Sequence, residues 1–87
     1  MLKKISNIGD CGIACDFGED VNKETNKEVI KLFNFIQESV NNKKIKGILN
    51  YTPSYNKLII NFELGQTKSK EITEFINGSD FSKTTLS

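Results

Sequence analysis

Cys11 and Cys15 are the side chains of this 87-residue chain best suited to act as nucleophiles or soft metal ligands. If both lie on one strand, their four-residue spacing separates the Cα atoms by about 13 Å. A disulfide requires a Cα separation under about 7 Å, so the two cysteines cannot pair within that strand. Strand alternation places them on one face with Ile13 and Phe17. We therefore interpret both as small buried hydrophobic residues with reduced thiols.

Residue types that would complete a metal or catalytic site are missing. The chain has no histidine, which is the commonest general acid–base and metal ligand at neutral pH. Two cysteines alone do not supply the four ligands of a structural zinc site. We interpret Asp10, Asp16, Glu19 and Asp20, around one end of a hairpin, as solvated loop charges. We predict no catalytic residue, no cofactor-binding residue and no metal site, and hence no turnover by the chain alone.

The charge balance argues against nucleic acid and membranes as partners. The net charge is +1, and all twelve basic residues are lysine. Arginine, which supplies the rigid two-pronged contact to phosphates and guanine edges, is absent. Apolar runs stay far below the ~20 residues that cross a bilayer, and residues 1–5 are not followed by an apolar signal core. We predict a cytoplasmic protein without nucleic-acid or membrane partners.

The first half of the chain predicts a hairpin followed by a long helix. Lys4–Ile8 and residues 11–17 alternate as strands around a Gly9-Asp10 turn. An amphipathic helix is predicted over Lys23–Asn41, with Asn22 as its N-cap. Phe35 lies outside the apolar stripe of this helix. It either widens the buried face or belongs to a contact surface.

The second half predicts another hairpin and a short helix. Residues 45–52 and 58–64 form strands separated by Pro53, and a helix follows over residues 69–76. The order predicts an α+β fold, a two-layer β2-α-β2-α sandwich with an antiparallel-rich sheet and both helices on one face. Residues 1–78 then form one domain, and we expect residues 79–87 to be a flexible tail.

Several short segments between residues 5 and 76 match those of a known family in their order and spacing. They are Ile8-Gly9-Asp10, Phe17-Gly18-Glu19, Asn26 with Val29 and Leu32, Lys46-Gly47-Ile48, Thr52-Pro53-Ser54-Tyr55 and Leu58-Ile59-Ile60-Asn61-Phe62. With them the chain resembles the N-terminal domain of the family of KipI and the 5-oxoprolinase B-subunit, also called allophanate hydrolase subunit 1 (carboxyltransferase subdomain C/D). It departs from the family pattern at Lys57-Leu58 and Phe62-Glu63-Leu64, and we expect it to lack the cyclophilin-like domain that follows in full-length relatives.

The resemblance implies a non-catalytic subunit or domain of a 5-oxoprolinase (ATP-hydrolysing) or allophanate-hydrolase-type complex. Such a component acts by docking a companion hydrolase subunit (similar to the 5-oxoprolinase C-subunit) or the missing cyclophilin-like domain. It is then part of an ATP-dependent enzyme without being catalytic itself. The alternative that the family name implies is a regulatory module that binds and inhibits a sensor histidine kinase.

Four residues are candidates for partner binding, namely Asp10, Tyr51, Pro53 and Tyr55. Asp10 belongs to a turn that either contacts a partner or serves the hairpin itself. Tyr51 and Tyr55 flank Pro53 and could line a groove for a partner. The alternative is that one tyrosine packs on the sheet while the other caps the turn.

Overall fold

The structure, a computed structural model, describes residues 2–19, 22–79 and 81. Its strands form a single four-stranded sheet in the order β1-β2-β4-β3, and each neighbouring pair is antiparallel. Both helices contribute to the core formed with the sheet, which confirms the predicted α+β architecture. The elements are β1 (Lys4–Ile8), β2 (Gly12–Asp16), α1 (Lys23–Asn41), β3 (Ile48–Pro53), β4 (Lys57–Phe62) and α2 (Ser69–Asn77).

Helix α1 begins and ends where the local sequence predicts. The side-chain oxygen of Asn22 accepts a hydrogen bond of 2.8 Å from the Thr25 amide, and this bond satisfies one of the free donors of the first turn. Glu24 places a negative charge near the positive end of the helix dipole. After Asn42, Lys43 adopts a left-handed conformation with φ 58°, which ends the helix.

The core lies between the helices and one face of the two central strands. Alternate residues of β2 and β4 point into it, as the period of two predicts. Three positions of α1 and two of α2 close it from the other side. The fully buried members at these positions are Ile13, Cys15, Leu58, Ile60, Phe62, Val29, Leu32, Ile36, Ile72 and Ile76.

The second hairpin differs from the prediction at its boundaries. β3 begins at Ile48 rather than at residue 45, and it includes Pro53 as its last residue. Proline is tolerated there because β3 is an edge strand whose outward N–H groups need no partner. β4 ends at Phe62, so Leu64 lies in the following turn and is 57% exposed instead of facing the core.

Helix α2 extends one residue beyond the prediction and is capped by Gly78. In the predicted tail, the Ser79 hydroxyl donates to the Ile76 carbonyl (2.6 Å), and Phe81 packs edge-on against Phe17 with ring centroids 6.2 Å apart. The rest of the predicted tail lies outside the described residues. Within the described ranges, neither helix combines the length and hydropathy that crossing a bilayer requires.

Candidate functional site

Three chain segments meet at one corner of the sheet, which we call the Tyr55 corner. It consists of residues 16–18 at the end of β2, residues 54–56 between β3 and β4, and residues 22–26 at the start of α1. The Phe17 amide donates to the Asn56 carbonyl (2.9 Å), and the Asn56 side-chain amide donates to the Gly18 carbonyl (2.6 Å). Because these bonds link residues far apart in sequence, they hold the turn against the end of β2.

Two further hydrogen bonds complete the corner. The Asn26 side-chain amide donates to the Tyr55 carbonyl at 3.5 Å, which connects α1 to the turn. The Gly18 amide donates to the Asp16 carboxylate at 2.8 Å, and Gly18 itself has φ 110°, a value that favours glycine. The corner therefore joins segments that the resemblance to the family had identified separately along the sequence.

Tyr55 is the exposed aromatic residue of this corner. Its side chain is 59% exposed, whereas its backbone lies in a turn closed by a 2.8 Å bond from the Ser54 amide to the Lys57 carbonyl. An exposed tyrosine on a backbone held in place loses little further conformational freedom on binding, which suits a docking anchor. The geometry is compatible with the predicted role of Tyr55.

The Tyr51 side chain lies on the core-facing side of the sheet, whereas the side chain of its neighbour Thr52 faces solvent. It is directly opposite Ile60, and its ring packs on that of Phe33 with centroids 5.3 Å apart and planes inclined by 57°. The side chain is half-buried against the core. One tyrosine therefore packs on the sheet and the other lies in the turn, so the two do not line a common groove.

Pro53 and Asp10 occupy different ends of the sheet. Pro53 is opposite Leu58 at the last position of β3, next to the Tyr55 corner. Asp10 lies in the β1–β2 turn, beside the opposite end of β2. Of the four candidate residues, Pro53 and Tyr55 lie at the same end of the sheet, where Pro53 is half-buried and Tyr55 is exposed.

The two cysteines have different environments, and one prediction about them is wrong. Cys15 is fully buried, and burial raises the pKa of its thiol from 9.0 to about 12. Cys11 is exposed because it belongs to the turn that precedes β2, where the buried face of the strand has not yet begun. In the part of the chain that the structure describes, no group of three or more Cys, Asp or Glu residues could hold a metal ion.

The sheet face opposite the core carries small, polar and isoleucine side chains. In its middle row Ser6, Ala14, Ile59 and Thr52 lie side by side across the four strands. At one end the Asn61 side-chain amide donates to the Asn50 side-chain oxygen at 2.6 Å. The buried residues of both described helices lie on the other face, so neither of these helices covers the outer face.

A cavity of about 520 Å³ lies beside β1 and the end of α2. Apolar side chains including Ile5, Ile76 and Phe81 form part of its lining, and Lys3, Lys4 and Glu28 contribute charged groups. The sequence analysis did not identify it, because its walls come from segments more than 70 residues apart in the chain (Lys3 and Phe81).

The arrangement of four antiparallel strands and two helices defines a two-layer α+β domain, and it also occurs in a solved structure. The crystal structure of the conserved uncharacterized protein PH0987 from Pyrococcus horikoshii matches with a TM-score of 0.68 and 16% sequence identity. The match covers 86% of this chain and 33% of that one, so this chain spans about a third of the length of PH0987. At this identity the likeness concerns the fold.

The family follows from the sequence itself. The family model "Carboxyltransferase domain, subdomain C and D" matches residues 3–84, and the chain belongs to this family. The resemblance inferred from the short segments between residues 5 and 76 is thereby confirmed. No curated protein matches the chain significantly.

Proposed function

We propose that this chain is a non-catalytic component of a 5-oxoprolinase (ATP-hydrolysing) or allophanate-hydrolase-type complex, and that it acts by docking a companion subunit. The observation that carries the proposal is the family match over residues 3–84, nearly the whole chain. The sequence supports a non-catalytic role, since it offers neither a histidine nor an arginine for acid–base or phosphate chemistry.

Two surfaces suit such docking. The Tyr55 corner presents an exposed aromatic ring on a turn held by hydrogen bonds from β2 and α1. On the outer sheet face, the small side chain of Ala14 lies between Ser6 and Ile59 and permits close approach of another backbone. Tyrosine is enriched among the residues that contribute most of the binding energy at protein interfaces, which favours Tyr55 as the anchor.

The identity of the companion is proposed from the resemblance to the family. The chain matches 33% of the length of PH0987. We propose that the companion is a protein similar to the 5-oxoprolinase C-subunit, or a cyclophilin-like domain. The assembled complex then opens 5-oxoproline to glutamate at the expense of ATP.

Reconstitution tests the proposal. The purified chain is mixed with the companion subunits encoded beside its gene, and glutamate formation from 5-oxoproline and ATP hydrolysis are measured together. We expect both activities to require the chain, and the chain alone to show neither. Full activity of the companions without this chain, or turnover by the isolated chain, would contradict the proposal.

A pair of matched variants tests the Tyr55 corner. Tyr55→Ala should raise the concentration of chain needed for half-maximal activity by about tenfold, as expected for loss of an aromatic anchor. Leu64→Ala is the control, because Leu64 has a similar exposure of 57% but lies beyond the other end of β4. If the two substitutions raise the half-maximal concentration equally, Tyr55 is not part of the interface.

The purified chain also tests the alternative function, in which it regulates a sensor histidine kinase. The chain is added to sensor histidine kinases from its source, and autophosphorylation is measured beside 5-oxoproline cleavage. We expect no inhibition of autophosphorylation. Inhibition in the absence of any effect on cleavage would replace the hydrolase component with the kinase regulator.

A further inference from the structure

The two edges of the sheet differ in their capacity to accept another strand. β1 and β3 are the edge strands, since the sheet order is β1-β2-β4-β3. An open edge presents unpaired N–H and C=O groups, and proteins commonly block such edges with proline or a bulge. The two edges of this sheet can therefore be compared group by group.

The hydrogen bonds between the strands identify which backbone groups of β1 point away from the sheet, because these groups alternate in direction along a strand. The Phe62 amide donates to the Cys11 carbonyl, and the Phe17 amide donates to the Asn56 carbonyl, so odd-numbered residues of β2 pair with β4. Even-numbered residues of β2 therefore pair with β1, through Lys4, Ser6 and Ile8 by the observed register. The backbone groups of Ile5 and Asn7 then point away from the sheet.

The same argument shows that the β3 edge is blocked. The Ser54 amide donates to the Lys57 carbonyl, so Thr52 and Asn50 pair inward and Tyr51 and Pro53 point outward. Pro53 has no N–H, and the register shifts between Ile48 and Asn50. By contrast, β1 contains no proline, and its register with β2 runs without a shift from Lys4 to Ile8; an irregularity precedes it, where the Lys3 amide donates to the Asp16 carbonyl.

We propose that the outer edge of β1, which no other described strand covers, pairs with β1 of a second copy of this chain, antiparallel and across a two-fold axis at Ser6. In this register Ile5 lies opposite the second copy's Asn7, and each of these residues both donates and accepts a main-chain hydrogen bond. The two four-stranded sheets thereby join into one. This assembly is separate from the docking of a companion subunit, which uses the Tyr55 corner and the outer face.

The charges along β1 favour a second copy in this orientation. Lys3 and Lys4 lie at the start of the strand, and Asp10 lies in the turn that follows its end. All three side chains are exposed, and no ion pair involves them within the described part of the chain. Antiparallel pairing brings the lysine end of each copy to the Asp10 end of the other, which favours this orientation over a parallel one.

The apolar side chains fit the same register. Ile8 is 47% exposed, and it lies opposite the second copy's Lys4, whose aliphatic stem can cover it. The interface is one strand wide and therefore smaller than a standard stable interface. We expect a reversible dimer with a dissociation constant on the order of 100 µM.

Two measurements on the full chain test the pairing. Sedimentation equilibrium should show a monomer–dimer equilibrium as the concentration rises from roughly 10 µM to roughly 1 mM, around the expected dissociation constant. Amide hydrogen exchange should slow with concentration at Ile5 and Asn7, but not at Tyr51 on the blocked edge. A chain that stays monomeric, or a dimer that leaves exchange at Ile5 and Asn7 unchanged, would overturn the proposal.

Variants test separately how main-chain hydrogen bonds and charges contribute to the proposed dimer. Asn7→Pro removes an outward N–H and should raise the dissociation constant at least tenfold, with the fold checked by circular dichroism. Asp10→Lys should raise the dissociation constant several-fold, and adding Lys4→Glu to this variant should restore the original dissociation constant. Glu38→Lys, the same charge change on the exposed side of α1, should leave it unchanged. The proposed pairing would be refuted by a folded Asn7→Pro variant that dimerises like the unmodified chain. Equal effects of Asp10→Lys and Glu38→Lys on the dissociation constant would also refute it.

Discussion

The rings of Phe35 and Phe75 stack with centroids 5.5 Å apart and planes inclined by 25°, and they join α1 to α2. The helix pattern left open whether Phe35 widens the buried face or belongs to a contact surface. The stacking shows that it widens the buried face, because its ring is half-buried against the core. Phe75 of the short helix therefore has a structural role beyond the two fully buried isoleucines of α2.

This contact predicts a measurable coupling. Phe75→Ala should lower the free energy of unfolding by about 2 kcal/mol, less than for a fully buried ring because Phe75 is only half-buried. A double-mutant cycle with Phe35→Ala should give a coupling of roughly 0.5–1.5 kcal/mol. Urea denaturation measures both, and Leu64→Ala serves as an exposed control expected within about 0.5 kcal/mol of the unmodified chain. Strictly additive single effects would show that the stacking contributes nothing.

Gly47 should tolerate no side chain. Its φ is 78°, and an added Cβ would lie 2.7 Å from Cβ of Gln66 and 2.9 Å from Cγ2 of Thr67. Strain in the left-handed region and the close approach should together cost about 3 kcal/mol in Gly47→Ala, measured by denaturant or thermal unfolding. Gly65→Ala is the matched control, because an added Cβ at Gly65 meets nothing within 4 Å. A cost under about 1 kcal/mol at Gly47 would contradict the observed packing of residues 66–67.

The two tyrosines should respond oppositely to truncation. Tyr51→Ala should cost about 2 kcal/mol of stability, because the ring packs on Phe33 against the core. Tyr55→Ala should change stability by less than about 0.5 kcal/mol, since its ring is mostly exposed. Unfolding in urea compares the variants directly. A larger stability loss for Tyr55→Ala than for Tyr51→Ala would reverse the assignment of structural and surface roles.

Cys15 should make the chain sensitive to alkaline pH. Its pKa is about 12 in the folded state and 9.0 when unperturbed, so between these values the unfolded chain loses the thiol proton while the folded chain keeps it. The stability contributed by the buried neutral thiol is therefore complete below pH 9.0 and lost as pH rises toward about 12. The pH slope of the unfolding free energy should be less steep in Cys15→Ala over this window.

Thiol labelling provides a control for that experiment. At mildly alkaline pH the exposed Cys11 should react rapidly, whereas Cys15 should react only as fast as the structure opens. Equal labelling rates for the two thiols, or an identical pH slope in Cys15→Ala, would show that Cys15 is not protected in the folded chain.

Local patterns predicted most of the secondary structure. The bounds of α1 and its Asn22 cap agree with the sequence analysis because capping and helix periodicity depend on residues only a few positions apart. The strand ends were less predictable. Where β3 begins depends on Gly47, whose contacts with Gln66 and Thr67 come from a segment almost twenty residues later. Cys11 was placed in the core because alternation does not reveal where a turn ends.

The sequence by itself determined the fold class, the family and the lack of histidine and arginine, because periodicity, composition and ordered motifs are properties of the chain read in one dimension. Only the tertiary structure decided that Tyr51 packs inward while Tyr55 remains exposed, and that Asp10 lies at the opposite end of β2 from Tyr55. It also decided that β1 and β3 are the edge strands of the sheet. These outcomes depend on strand register and on hydrogen bonds between residues distant in sequence, and such contacts arise only when the elements pack together.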